Sequence, residues 1–185
     1  MAAGLEARAI TPETTFNDEG NTTIDGYTIK NFNEQNFGVV TMTQVLEKSL
    51  NTGVMWVQQK IGNQVFRDML VALGFGQRTQ IDLSGEASGD IGNLYTGRRI
   101  NFLTASFGQG ITVTPIQMIT AYSAIANGGK LMRPSVVDAI IDDHGNETPR
   151  QPQLVGTPFS AKTAQQLQRM LTSVVDKGFD KARIA

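Results

Sequence analysis

The chain has 185 residues, a formal net charge of −1 and no cysteine. That length suits one domain with a buried core, and the balanced charge without like-sign blocks argues against a nucleic-acid partner or a strongly basic membrane-binding face. Missing thiols exclude disulfides, zinc–thiolate sites and cysteine nucleophiles but leave the compartment open.

In chain order, "MAAGLEARAI" reads as the closing turns of a helix ended by Thr11-Pro12, since proline disfavours helix in the residue before it. A helix so short hardly holds itself together in water, so it is expected to have continued upstream. "TTIDGYTI" sets Asp25-Gly26 between two β-prone triplets and predicts a hairpin over residues 22–29. "TMTQVLEK" predicts a helix with Thr41 as N-cap and Gln44 completing a capping box. After a polar break at Ser49, Asn51, Thr52 and Gly53, "VMWVQQKIG" predicts a second helix stopped by Gly62. Asn63 is then expected to cap a third, through "QVFRDMLVAL", with Val65, Met69, Leu70 and Leu73 on one face and Gly74 as its stop.

Residues 74–101 are rich in glycine and polar side chains and read as one long ordered loop. Thr114, Pro115 and Gln117 then give a cap, a first-turn proline and a capping box for a helix that stops at Gly128 or Gly129. "SVVDAII" predicts a strand turning at "DDHGN", with a return arm weakened by Pro149 and Pro152. Ser160 is expected to cap a last helix ending at Gly178, with Leu167, Met170, Leu171, Val174 and Val175 on its apolar face. No internal repeat or low-complexity segment interrupts this order. No apolar run approaches the ~18–20 residues of a membrane span, and the N-terminus lacks the basic flank and apolar stretch of a signal peptide. Targeting and membrane attachment are therefore expected to lie outside this chain.

Most candidate chemistry is better read as architecture. His144, the single histidine, sits in a polar turn and cannot build a metal site alone, so no metal or other cofactor is expected. Ser106 has Thr104 rather than glycine two residues before it, so the nucleophile-elbow pattern fails. "GFGQRT" lacks the lysine and helix start of a phosphate loop, and adjacent Asp142 and Asp143 would face opposite sides of a strand. Ser49 and Asn51 leave two readings open. They are the residue types of which helix breaks are made, and they are also a hydroxyl able to relay a proton beside an amide able to fix a substrate amide.

Four stretches, "TMTQVLEKSLNTGVMWV", "LGFGQRTQIDLSGE", "SFGQGITVTPIQMITAYSAIANGGKLMRPSVV" and "MLTSVVDKGF", resemble in the same order the transpeptidase domain of the monofunctional (class B) penicillin-binding proteins. The resemblance covers nearly the whole chain. It implies chemistry built on three motifs, Ser-x-x-Lys, Ser-x-Asn and Lys-Thr-Gly, of which Ser49-Leu50-Asn51 matches the second. It further implies acyl transfer through a serine ester to a peptidoglycan stem peptide, trapping by β-lactams, and a parent protein at the outer face of the bacterial cytoplasmic membrane. By that resemblance Ser49 shuttles a proton toward the leaving amine and Asn51 binds the acyl-side amide.

The other two motifs do not occur in the 185 residues. Ser160 is followed by Lys162 and Ser173 by Lys177, Lys48 directly precedes Ser49, and Lys162-Thr163-Ala164 falls in a helical first turn. Ser84 stands where the family often has proline. In the family "AAGLEARAITP" follows the first motif and "DKGFDKARIA" precedes the third, so the expectation is a middle portion of the domain spanning residues 1–185, inactive alone. The expected fold is mainly α with small β-hairpins (α+β), the helical part of the serine β-lactamase and penicillin-binding transpeptidase fold with an incomplete central sheet. Uncovered apolar surface is expected to favour self-association. The alternatives are a non-catalytic helical binding module and a relative of the serine β-lactamases or D,D-carboxypeptidases.

Overall fold

The computed structural model describes residues 1–178; residues 179–185, most of the stretch "DKGFDKARIA", lie outside the described part. Helix α1 (Ala2–Glu6) ends earlier than the expected stop at Thr11-Pro12, because the chain turns out of the helix at Ala7 and Arg8, the latter in the left-handed region at φ 55°. Gly4 lets α1 lie flat on the next long helix, because a Cβ there would come within 2.8 Å of Val57 Cγ1. Strands β2 (Asn21–Ile24) and β3 (Tyr27–Lys30) form the expected hairpin, with Asp25 and Gly26 both at positive φ, the pair that a twisted two-residue turn requires. The sequence did not announce that β1 (Thr15–Asp18) pairs antiparallel with β4 (Gly38–Thr41), enclosing that hairpin.

Helix α2 (Met42–Glu47) starts on the predicted capping box: Gln44 N–H donates to Thr41 Oγ1 at 3.2 Å and Thr41 N–H to Gln44 Oε1 at 2.9 Å. The two helices expected after it are the halves of α3 (Asn51–Ala72), broken at Gly62, where φ 80° and ψ 166° leave the helical region. Asn63 Oδ1 accepts from Gln58 Nε2 at 2.8 Å, tying the halves across the break. Val65, expected on the apolar face, is exposed instead.

The stretch 74–101 is a loop only in part, containing a 3-10 turn (Gly92–Tyr95) and the start of α4 (Arg99–Ala105). Helix α5 (Pro115–Ala126) carries the predicted Thr114–Gln117 box. Gln117 does more than cap: its buried Nε2 donates to the carbonyls of Gln77 (2.6 Å) and Ser88 (2.7 Å), and Gly74 O lies at 3.3 Å. One side chain thus fastens the long loop to the helix.

Beyond α5, β5 (Leu131–Met132) pairs with β8 (Leu154–Gly156), and between them β6 (Ala139–Ile141) pairs with β7 (Glu147–Pro149). The predicted strand is thus confined to its last residues. Asp82 holds this hairpin to the loop, accepting from Val136 N–H (3.0 Å), Val137 N–H (3.1 Å) and Ser135 Oγ (2.8 Å) and pairing with Arg150.

Helix α6 (Ala161–Lys177) starts on Ser160, as predicted. Glu6 closes its N-terminus, Oε2 accepting from Ser160 N–H (3.0 Å), Ser160 Oγ (2.9 Å) and Thr163 Oγ1 (2.5 Å). Burial raises the Glu6 pKa, but these hydrogen bonds outweigh it and the net shift is downward. Leu167 and Met170 enter the core, whereas Val175 remains exposed.

The main core joins α1, α2, α3 and α6 through Leu5, Met42, Val45, Leu50, Leu167 and Met170; a second cluster around Phe75, Leu94 and Phe102 lies under the long loop. Among the described residues the strands form only two-stranded antiparallel ribbons, so the fold is α+β and mainly helical, as expected.

Two outcomes follow. Gln117→Leu should leave the Gln77 and Ser88 carbonyls without their Nε2 donor and cost about 1–3 kcal/mol in urea unfolding. A loss indistinguishable from that of an exposed residue on the same helix would contradict the anchoring role. The backbone N–H of Val136, with the other bonds and Arg150, holds the Asp82 carboxyl down from its ordinary 3.8 to about 2. A depressed carboxylate stabilises the contact above about pH 4 and loses it as pH falls toward 2. The Val136 and Val137 amides should shift in that window, and a midpoint near 4 would exclude the contact.

Candidate active site

The corner between α2 and α3 is built by the end of α2. Ser49 N–H donates to Leu46 O at 3.1 Å and Leu50 N–H to Val45 O at 3.0 Å, with Ser49 at φ 51°. This is the Schellman arrangement, whose left-handed position is normally glycine because a Cβ is strained there. Leu50 supplies the apolar contact that accompanies the motif, packing with Val45 in the core. A serine therefore occupies a position where glycine would fit more easily. Its side chain is exposed, and Oγ has no hydrogen-bond partner among the described residues.

Because Leu50 is also the N-cap residue of α3, that helix begins without a capping side chain of its own. Asn31, just after β3, supplies one: its Oδ1 accepts from Thr52 N–H at 3.2 Å, a partner 21 residues away. Thr52 Oγ1 donates to Asp18 Oδ1 at 2.7 Å and lies 3.1 Å from Asn31 Oδ1. Asp18 is fully buried and accepts on both oxygens, from Asn31 Nδ2 (2.8 Å), Gly20 N–H (3.2 Å) and Phe37 N–H (3.1 Å) as well as from Thr52. Such a closed set is favourable because each buried polar group finds a partner.

The same end of β3 orients Asn51. Its Nδ2 donates to Lys30 O at 2.9 Å, which leaves one N–H and Oδ1 without a partner among the described residues. The half-buried amide thus keeps a donor and an acceptor for another amide. Gly53 permits the tight corner, since a Cβ there would sit 2.6 Å from Val45 Cγ1. Lys48, adjacent to Ser49, places Nζ 4.4 Å from the centre of the Phe37 ring.

The structure brings Ser49 and Asn51 together at this corner and gives Ser106, Thr163 and Asp142 structural partners. Ser106 Oγ donates to Leu103 O at 2.6 Å, closing α4. Thr163 of Lys162-Thr163-Ala164 is buried in the first turn of α6 against Glu6. Asp142 folds its own turn, and the Asn146 side chain leads the hydrogen bonds that lower its pKa. Gly76 of "GFGQRT" packs on Ile91, where a Cβ would come within 2.6 Å. Among the described residues no cluster of three histidine or acidic side chains could hold a metal ion. Asp18, Asn31 and the Lys30 carbonyl were not foreseen, and Thr52 was foreseen only as a turn residue.

The family description for the penicillin binding protein transpeptidase domain matches residues 1–184. The chain belongs to that family. It is 32% identical over 181 residues to stage V sporulation protein D of Bacillus subtilis, covering 96% of this chain and 28% of that protein. It is also 32% identical over 178 residues to penicillin-binding protein PbpB of Mycobacterium tuberculosis, covering 95% of this chain and 26% of that one. The chain spans about a quarter of the length of these curated relatives. Penicillin binding protein 3 from Mycobacterium tuberculosis, solved in complex with aztreonam, superposes with a TM-score of 0.87 at 32% identity, over 94% of this chain and 39% of that one. The chain has the mainly helical α+β architecture of this family. The parent family are serine-type D,D-transpeptidases.

The corner makes opposing demands on two substitutions. Ser49→Gly should raise stability by about 0.5–1 kcal/mol by relieving the left-handed strain. Asp18→Ala should cost about 1–3 kcal/mol or more by stranding buried donors. Chemical denaturation measures both, and a destabilised glycine variant would contradict the strain.

Proposed function

We propose that residues 1–185 are one unit, the middle portion of the transpeptidase domain of a peptidoglycan D,D-transpeptidase, in which Ser49 and Asn51 form the Ser-x-Asn motif. The observation that carries this reading is Ser49 itself: a serine held at a glycine-favouring φ of 51°, beside an Asn51 whose amide is half engaged. Backbone strain kept at a polar, exposed side chain is characteristic of functional positions.

The nucleophilic serine and the lysine that activates it come from a Ser-x-x-Lys segment that this chain does not contain. That serine attacks the carbonyl between two D-alanines of a stem peptide, and its proton passes to the amine of the departing D-alanine. The Ser49 hydroxyl, at once donor and acceptor, is suited to the relay. Asn51 uses its open N–H and Oδ1 to align the acyl-side amide. An amine of a neighbouring stem then takes the acyl group, and β-lactams occupy the same serine. This activity lies at the outer face of the cytoplasmic membrane; no described helix is long and apolar enough to cross a membrane.

The 185-residue chain should not be labelled covalently by a fluorescent penicillin, and stoichiometric labelling would overturn the fragment reading. In a longer protein that supplies the missing motifs, Asn51→Ala and Ser49→Gly should each slow acylation about 10²-fold or more, the scale of losing a positioning or proton-transfer group. Unchanged acylation in both would favour a helical module in which the corner is only a corner. Exposed Phe32, Val39, Ile119 and Ile140 predict concentration-dependent self-association of the chain in light scattering.

A further inference from the structure

At the end of α3 remote from the Ser49 corner, a cleft of about 340 Å³ opens between the last turn of that helix, the loop at residues 77–80, α5 and the β5–β8 ribbon. Its size falls in the lower range of small-molecule sites. Leu73, Leu131 and Leu154 give it an apolar wall, and Arg78 and Arg133 stand at its edge.

Thr120 of α5 lines the same cleft and is 8% exposed. Its Oγ1 is the single buried side-chain nitrogen or oxygen found without a hydrogen-bond partner among the described residues. A helical threonine commonly returns its hydroxyl to the carbonyl one turn back, and this one does not. An orphaned buried hydroxyl costs free energy that a ligand atom in the cleft would recover.

The cationic edge is also unfilled. Ion pairs among the described residues are Lys30–Glu34 and Arg150–Asp82, so neither Arg78 nor Arg133 has a carboxylate partner. Glu86, whose carboxylate feels the charge of Arg78, is itself taken up by Thr79 and Gln80. Arg133 is already oriented, its Nε donating to Gln80 O at 2.5 Å and Nη1 to Gln153 Oε1 at 3.1 Å, while Nη2 is left free. A guanidinium fixed in this way loses little freedom on meeting a carboxylate.

We propose that this cleft binds a small anionic amphiphile, a carboxylate on a short aliphatic or aromatic tail, at a site separate from Ser49 and Asn51. The carboxylate meets the two guanidinium groups and accepts a hydrogen bond from Thr120 Oγ1, and the tail lies on the leucines.

Titration of the protein with 4-phenylbutyrate, 4-phenylbutanol and 4-phenylbutylamine, followed by two-dimensional NMR of the residues around the cleft, tests this. The acid should bind saturably, the alcohol about 10-fold more weakly or worse, and the amine not at all. Thr120→Val removes the orphan hydroxyl, so it should keep or raise Tm while weakening the acid about 3- to 10-fold. Arg78→Gln should weaken the acid similarly and leave the alcohol unchanged. Equal affinity for acid and alcohol, full acid affinity in either variant, or no acid binding up to about 10 mM would overturn the site.

Discussion

A helix whose own cap residue is apolar must be capped from elsewhere, and much of the arrangement around Ser49 and Asn51 follows from that constraint. Leu50 closes α2 by burying its side chain, which leaves the first turn of α3 in need of an acceptor. Asn31 meets that need, Asp18 holds Asn31, and both residues flank the β2–β3 hairpin. The ribbon is therefore part of the corner's frame, because the same strand end that caps α3 also offers the Lys30 carbonyl to Asn51.

The far half of the chain is organised on the same economy of single polar anchors. Gln117 closes a capping box with its oxygen and gathers loop carbonyls with its nitrogen. Asp82 collects two backbone amides, a hydroxyl and a guanidinium from the ribbon region. Glu6 joins the start of the chain to the start of α6. Each anchor offers several acceptors or donors to backbone groups that belong to no ladder, which keeps irregular segments ordered without a larger sheet. The cleft at Thr120 is the exception: there a buried polar atom was left without such an anchor.

Local signals were legible wherever the deciding contacts lie within about four residues. The Thr41 and Thr114 capping boxes, the Ser160 cap, the Asp25-Gly26 turn and the stops at Gly62 and Gly74 depend on near neighbours, and each stands where the sequence put it. The β1–β4 and β5–β8 pairings were not legible, because strands of two to four residues carry too little alternation and their partners are distant. Helix α4 was hidden in a glycine-rich stretch because its stability comes from burying Phe102 and Leu103 rather than from a cap.

By itself the sequence determined the family, the α+β class and the place of Ser49 and Asn51 at a break between helices. Those are properties of residue order, spacing and local hydrogen bonding. Tertiary structure alone decided that Ser49 would be held in a left-handed conformation with its hydroxyl free, and that Asn51 would be turned by a carbonyl 21 residues away. It also decided that Asp18, 34 residues from Thr52, would lie at the base of the corner. Contacts across such separations depend on how elements pack, and no spacing in the chain encodes which distant polar group will meet an unfilled cap.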